Sequence, residues 1–213
     1  MNIVIVDYGS GNLRSAAKAF ERAANDAGLG ETVIVSAEAK ALASADRIVL
    51  PGVGAFGDCK QGLEALPGMI EALGEQVLVK HKPFFGICVG MQLMAEVGRE
   101  HGDHAGLGWI KGVVEEIKPA DPALKVPHMG WNELQFTRPH PLFAGLGAQR
   151  DAYFVHSYQL KPSNPADVIA TVEYGGPIVA AVARDNIVGT QFHPEKSQAN
   201  GLAIIANFLR WRP

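Results

Sequence analysis

Two cysteines in 213 residues, Cys59 and Cys88, are too few for the disulfide framework of a small secreted domain. The sequence contains no run of about 18 apolar residues, so no bilayer-spanning helix is expected. An excess of one charge is missing too. Its 19 Lys and Arg stand against 22 Asp and Glu, a formal net charge of −3, with no obvious basic cluster. That argues against a nucleic-acid surface and against a polybasic membrane surface. The start, MNIVIVDYGSGN, enters a strand-like run without a basic region or a small-residue cleavage site. No signal peptide is therefore expected, and the chain is expected in the cytoplasm. Repeats, low-complexity tracts and a Pro/Ser linker are lacking, and the proline-rich residues 119–127 are too short to separate a pair of domains. At roughly 150 residues per domain, the reading is one domain over residues 1–213 that needs no disulfide or metal staple.

What is present alternates. Residues 2–6 form a short apolar run and residues 7–12 a turn. Residues 13–27 carry Leu13, Ala16, Ala17, Phe20, Ala23 and Ala24 at helical spacing, closed by Gly28 and Gly30. Residues 32–35, 47–50 and 83–87 read as buried strands; residues 63–79, interrupted at Pro67-Gly68, and 89–97 read as helices. Continuous apolar strands alternating with helices predict an α/β fold with a parallel sheet covered on both faces. The second half changes character. Strand candidates at 113–117, 153–158, 167–174, 178–183 and 187–192 follow closely, some joined by turns such as Gly175-Gly176-Pro177, and predict an antiparallel extension. Residues 202–211 close the chain as an amphipathic helix.

The strongest local signal is Gly86-Ile87-Cys88-Val89-Gly90, between a predicted strand and a predicted helix. It is a nucleophile elbow with cysteine where hydrolases often carry serine, and bulk at either glycine would collide with neighbouring elements. A thiol of ordinary pKa, about 8.5, is only a few per cent ionised at neutral pH, and a helix N-terminus favours the thiolate. Cys59, between Asp58 and Lys60 without such a frame, reads as a buried structural cysteine. A base is still required. His193 lies in Gln191-Phe192-His193-Pro194-Glu195-Lys196, where Pro194 keeps it extended and Glu195 follows two residues on. Imidazole can take the thiol proton while a carboxylate fixes its tautomer, so Cys88, His193 and Glu195 form the candidate catalytic set. His101, His104 and Asp103 have no further ligand nearby, and no metal is expected. His128, His140 and His156 read as structural.

Pro51-Gly52-Val53-Gly54 follows a predicted strand. Acyl transfer needs two backbone N–H groups where negative charge develops: Val89 is the candidate for one, and Val53 or Gly54 for the other. Gly9-Ser10-Gly11 has Arg14 where a dinucleotide loop needs glycine, and that reading is dropped.

Residues 86–92, GICVGMQ, together with residues 191–196, QFHPEK, resemble the class I (triad) glutamine amidotransferases. Pro51 to Phe56 (PGVGAF), Pro127 to Asn132 (PHMGWN) and Tyr153 to Tyr158 (YFVHSY) resemble more specifically the glutaminase subunits of imidazole glycerol phosphate synthases. The resemblance runs from Asp7 to Ser197. Trp109 departs from it, standing where a smaller apolar residue is usual. It implies a flavodoxin-like open sheet with helices on both faces. It also implies hydrolysis of L-glutamine to glutamate and ammonia through a thioester on Cys88, with no cofactor. By the same matching Gln92, Glu100, Ser157 and Tyr158 hold substrate, Glu100 at the α-amino group. The resemblance further implies a heterodimer with a (β/α)8 cyclase subunit, which converts the ammonia and a phosphoribosyl-bearing acceptor into imidazole glycerol phosphate and aminoimidazole carboxamide ribotide in histidine biosynthesis. Asn12, Trp131, Asn132 and Lys196 fall at that interface. Length supports a second chain, since a (β/α)8 barrel needs about 250 residues. The resemblance also implies an oxyanion peptide at Val53 that points away until the partner binds its substrate. The alternatives are a glutaminase serving another synthase, such as pyridoxal phosphate synthase, an elbow-cysteine hydrolase or chaperone-like protein, and a non-catalytic binding module. Intact Cys88, His193 and Glu195 count against the last.

Overall fold

In the computed structural model, which describes residues 1–148 and 150–213, the apolar run Asn2–Val6 (β1) lies inside the main sheet with Ile3, Val4, Ile5 and Val6 all buried. A strand covered on both faces needs such unbroken apolarity rather than alternation. The helix Leu13–Asp26 (α1) turns Ala16, Phe20, Ala23 and Ala24 inward. Next come Thr32–Ser36 (β2), Arg47–Gly52 (β3), Phe56–Glu64 (α2), Met69–Leu73 (α3), Phe84–Cys88 (β4) and Val89–Gln92 (α4). The second half adds Val97–Gly98 (β5), His104–Ala105 (β6), Gly112–Glu116 (β7), His128–Glu133 (β8), Gln135–Phe136 (β9), Asp151–His156 (β10) and Tyr158–Pro162 (β11). Val168–Glu173 (β12), Pro177–Arg184 (β13), Ile187–Thr190 (β14) and the helix Gln198–Arg210 (α5) complete the chain.

The main sheet runs β2-β1-β3-β4-β14-β13-β12-β9. The five strands from β2 to β14 are mutually parallel, and β13, β12 and β9 extend them antiparallel, as the two halves of the sequence predict. Two small sheets, β10-β8 and β11-β7-β5-β6, lie beside it. Register puts Gly52 beside Cys88 and Thr190 beside Ile87, so β3, β4 and β14 end together. Carboxyl ends of parallel strands are where open α/β sheets bind ligands.

Three predicted elements come out differently, and a further strand, β8, is not expected from the sequence. The expected helix over 89–97 is a single turn. The carbonyls of Leu93, Met94 and Ala95 accept N–H groups of the returning segment 107–110, while Glu96 and Arg99 donate to Gly112 and Val114. Competing long-range hydrogen bonds thus end the helix and draw Val97–Gly98 into a sheet. The expected helix over 63–79 begins earlier, at Phe56, and breaks at Gly68, whose φ of 71° is left-handed; Gly74–Val79 then winds as a π-helix. The strand expected over 153–158 is two strands meeting at Ser157. β8 had no sequence signature because its pattern is inverted: His128 is buried, whereas Met129 and Trp131 are 62% and 49% exposed.

Candidate active site

Cys88 ends β4 at φ 54° and ψ −112°, a left-handed backbone that L-residues rarely adopt. Neighbouring glycines allow it. A Cβ on Gly90 would lie 1.8 Å from the Leu50 carbonyl oxygen, and one on Gly86 would lie 2.6 Å from the Gly90 carbonyl oxygen. The elbow therefore packs the start of α4 directly against β3 and β4. Since α4 has only four residues, its dipole is far smaller than the longer helix predicted from the sequence would supply.

His193 is anchored from both sides. Its N–H donates to the Tyr153 carbonyl at 3.0 Å, its carbonyl accepts the Ser197 hydroxyl at 2.7 Å, and that hydroxyl accepts the Tyr153 N–H at 3.0 Å. The ring Nδ1 lies 2.7 Å from Glu195 Oε1, with both side chains almost wholly buried. Its Nε2 is buried without a hydrogen-bond partner among the described residues. Burial pushes the imidazolium down, but the Cys88 sulfur and the Glu195 carboxylate together outweigh it and raise His193 to about 10. The ring therefore holds its proton at neutral pH, between sulfur and carboxylate.

Cys88, Val89, Val53, Gly54, Gln92, Glu100, Ser157, Tyr158, His193 and Lys196 all line one cavity of about 310 Å³. Glu195 stands behind His193. Glu100 also caps α2, accepting the Phe56 N–H at 2.7 Å. The Ser157 carbonyl accepts the Ile117 N–H at 2.8 Å, so the Tyr158 N–H of the same trans peptide points the opposite way. Among the expected interface residues, Asn12 is exposed and accepts the Ala16 N–H with its carbonyl at the start of α1. Trp131 sits outside this cavity, edge-on to Tyr153, and Lys196 Nζ lies 5.8 Å from the centre of that same ring. Asn132 is partly buried near His128. Trp109 fills the core, edge-on to Phe84 at 4.9 Å.

Sequence reasoning passed over several residues. The Ser10 hydroxyl donates to the Val53 carbonyl at 2.6 Å and accepts the Val53 N–H at 3.1 Å. The Cys59 thiol donates to the same carbonyl at 3.3 Å and lies 3.2 Å from Ser10 Oγ. Burial above all keeps Cys59 protonated. The Val53 N–H is thus taken up by Ser10 and is not free to receive an oxyanion while that bond holds, and Gly54 carries the next N–H along the segment. Gln191, quoted only as a member of a motif, is fully buried and points its Nε2 at Cys88 Sγ at 3.6 Å. Gln92 donates from Nε2 to Gln191 Oε1 and to the Tyr158 carbonyl, each at 3.0 Å.

The family model for class-I glutamine amidotransferases matches residues 4–211. The chain belongs to the class-I glutamine amidotransferases. Relatives within that family include a protein of Rhodospirillum rubrum, 59% identical over 214 residues, and proteins of Brucella suis and Agrobacterium fabrum, each 58% identical over 216 residues. All three alignments cover the whole of both chains, and all three relatives are named imidazole glycerol phosphate synthase subunit HisH. Among solved structures, a glutamine amidotransferase superposes with a TM-score of 0.72 at 18% identity, covering 97% of each chain. A putative GMP synthase subunit from Thermoplasma acidophilum superposes at 0.64 and 20% identity, covering 99% of this chain and 92% of its own. As an amidotransferase, the protein is an enzyme acting on glutamine nitrogen, and its elbow and buried His-Glu pair suit nucleophilic attack on a carboxamide.

Proposed function

We propose that this chain is the glutaminase subunit of an imidazole glycerol phosphate synthase, forming one amidotransferase domain over residues 1–213. The observation that carries the reading is that Cys88 and His193 line one cavity of about 310 Å³, with Glu195 bound to the far side of the buried His193 ring. Thiolate sulfur attacks the glutamine carboxamide carbon. The tetrahedral oxyanion is received by the Val89 N–H and by an N–H of the Gly52–Val53–Gly54 strand. His193 gives its proton to the departing nitrogen, releasing ammonia and leaving a thioester on Cys88. Water then attacks that thioester while His193 takes its proton, and glutamate leaves with the sulfur restored as thiolate. Glu195 holds the ring and stabilises the imidazolium throughout. Gln92, Glu100 and the backbone at Ser157 and Tyr158 hold glutamine.

The ammonia goes to a separate (β/α)8 cyclase subunit in the cytoplasm, making imidazole glycerol phosphate. Whole-length likeness to subunits of that synthase supports this, as do the exposed apolar side chains of Val53, Val126, Met129 and Trp131. The test is labelling with a glutamine-analogue electrophile, followed by co-purification with a cyclase subunit. A Cys88 adduct blocked by glutamine, on a chain that binds the cyclase, is expected. Labelling insensitive to glutamine would sink the glutaminase reading, and failure to bind the cyclase would redirect the ammonia to another synthase.

A further inference from the structure

Two buried histidines outside the triad lie on an unbroken hydrogen-bond line from β8 to the nucleophile. Asn132 Nδ2 is 3.2 Å from His128 Nε2, His128 Nδ1 is 3.1 Å from His156 Nε2, and His156 Nδ1 is 2.8 Å from the Tyr158 carbonyl oxygen. That oxygen also accepts Gln92 Nε2, whose other hydrogen goes to Gln191 Oε1, and Gln191 Nε2 faces Cys88 Sγ.

The position of every proton on this line follows from its ends. A carbonyl only accepts, so His156 carries its proton on Nδ1 and its Nε2 is an acceptor. His128 must then donate from Nδ1, leaving its own Nε2 as an acceptor. The other end reaches the same answer independently. Asn132 Oδ1 accepts the Glu133 N–H at 2.8 Å and its Nδ2 donates to the Glu173 carbonyl at 2.9 Å, so the amide nitrogen is the atom turned to His128. Phe154 stacks on His128 at 4.8 Å and Tyr174 lies over it at 4.1 Å, excluding water. Burial holds both rings neutral, pushing His128 down to about 4 and His156 to about 3.

We propose that His128 and His156 are positioning residues, which through the Tyr158 carbonyl, Gln92 and Gln191 keep an N–H on the Cys88 sulfur and tie that setting to Asn132 on β8. The claim rests on Cys88 being the glutamine-hydrolysing nucleophile. Both rings are locked as neutral Nδ1–H tautomers, the less common form of free imidazole side chains.

Asn132→Asp tests it with almost no change of shape, replacing the donor at the head of the line by an acceptor. In the complex with the cyclase subunit, kcat for glutamine hydrolysis is expected to fall roughly tenfold with little change in KM, the kinetic equivalent of one mis-set buried hydrogen bond. Synthesis from ammonium salts, which bypasses Cys88 and reports any loss of docking at this expected interface residue, is expected to fall by less than glutamine hydrolysis does. An unchanged kcat, or equal loss in both reactions, overturns the proposal. His156→Asn keeps a donor for the Tyr158 carbonyl and should retain more kcat than His156→Leu; equal loss counts against it. Nitrogen NMR of the lone chain reads the tautomers without any assay. Pyrrole-type Nδ1 with pyridine-type Nε2 at both rings is expected, and the opposite tautomer or an imidazolium at neutral pH overturns the line. If the wild-type complex hydrolysed no glutamine while the tautomers stood as stated, the functional reading would fail and the line itself would not.

Discussion

Ser10→Ala should make the lone chain a better glutaminase. The Ser10 hydroxyl makes two hydrogen bonds to one residue, accepting the Val53 N–H at 3.1 Å and donating to the Val53 carbonyl at 2.6 Å. While they hold, the Val53 N–H is taken up by Ser10 and cannot receive an oxyanion. A missing oxyanion donor costs roughly 10²–10³ in rate, which sets the ceiling on what release can recover. Each neutral hydrogen bond is worth about 1 kcal/mol net, and water replaces some of it at this half-exposed loop. Removing both therefore shifts the peptide by about 1–2 kcal/mol toward the productive orientation, a rise of roughly five- to thirtyfold in kcat. The assay is glutamate release at saturating glutamine by the purified chain alone, beside the same measurement with cyclase and its substrate bound. The rise belongs to the lone chain only, so stimulation by the partner should shrink in proportion. Cys59→Ala, which removes a single weak sulfur donor to the same carbonyl, should give a smaller rise. An unchanged or lower basal kcat in a folded Ser10→Ala chain would show that the Ser10 bonds do not hold the Val53 peptide back.

Cys88→Ala should abolish glutamine-dependent synthesis while leaving fold, cyclase binding and ammonium-dependent synthesis intact; loss of the last would give Cys88 another role. Gly90→Ala places a Cβ 1.8 Å from the Leu50 carbonyl oxygen and should cost about 3 kcal/mol or more, read by denaturant unfolding. Gly74→Ala, at helical φ −57° and ψ −49° with open space around it, should instead stabilise by about 0.5–1 kcal/mol. His193 is raised from 6.5 to about 10 in the folded chain, so its contribution to stability is full below pH 6.5 and is lost as pH climbs to about 10. Glu195→Gln and Cys88→Ala should each flatten that slope and lower the His193 titration followed by NMR; a His193 titration unchanged in both variants would show that neither group holds the proton.

The parallel half of the fold is legible because its signals are local. Ile3 to Val6 and Ile48 to Leu50 are unbroken apolar runs, and Ala16, Phe20, Ala23 and Ala24 keep helical spacing, so burial on two faces follows from composition alone. The elbow is legible for the same reason, since the strain at Cys88 is met by glycines two residues away on either side. Elements decided by distant partners are not. Nothing within residues 89–97 announces that segment 107–110 will claim the carbonyls of Leu93, Met94 and Ala95, and α2 begins at Phe56 with help from Glu100, 44 residues on. The same division runs through the site. Cys88, His193 and Glu195 could be named from chemistry and short spacing, whereas Ser10, Gln191, His128 and His156 are placed by hydrogen bonds that include partners 28 to 103 residues away. Those contacts fix the groups packed around Cys88. Cys88 has the Gln191 amide on its sulfur, and the Val53 N–H on the neighbouring segment is taken up by Ser10. On the proposed roles, control of this site would reside in the turn that follows β1, in β8 and in the Gly52–Val53 peptide, none of which carries Cys88, His193 or Glu195.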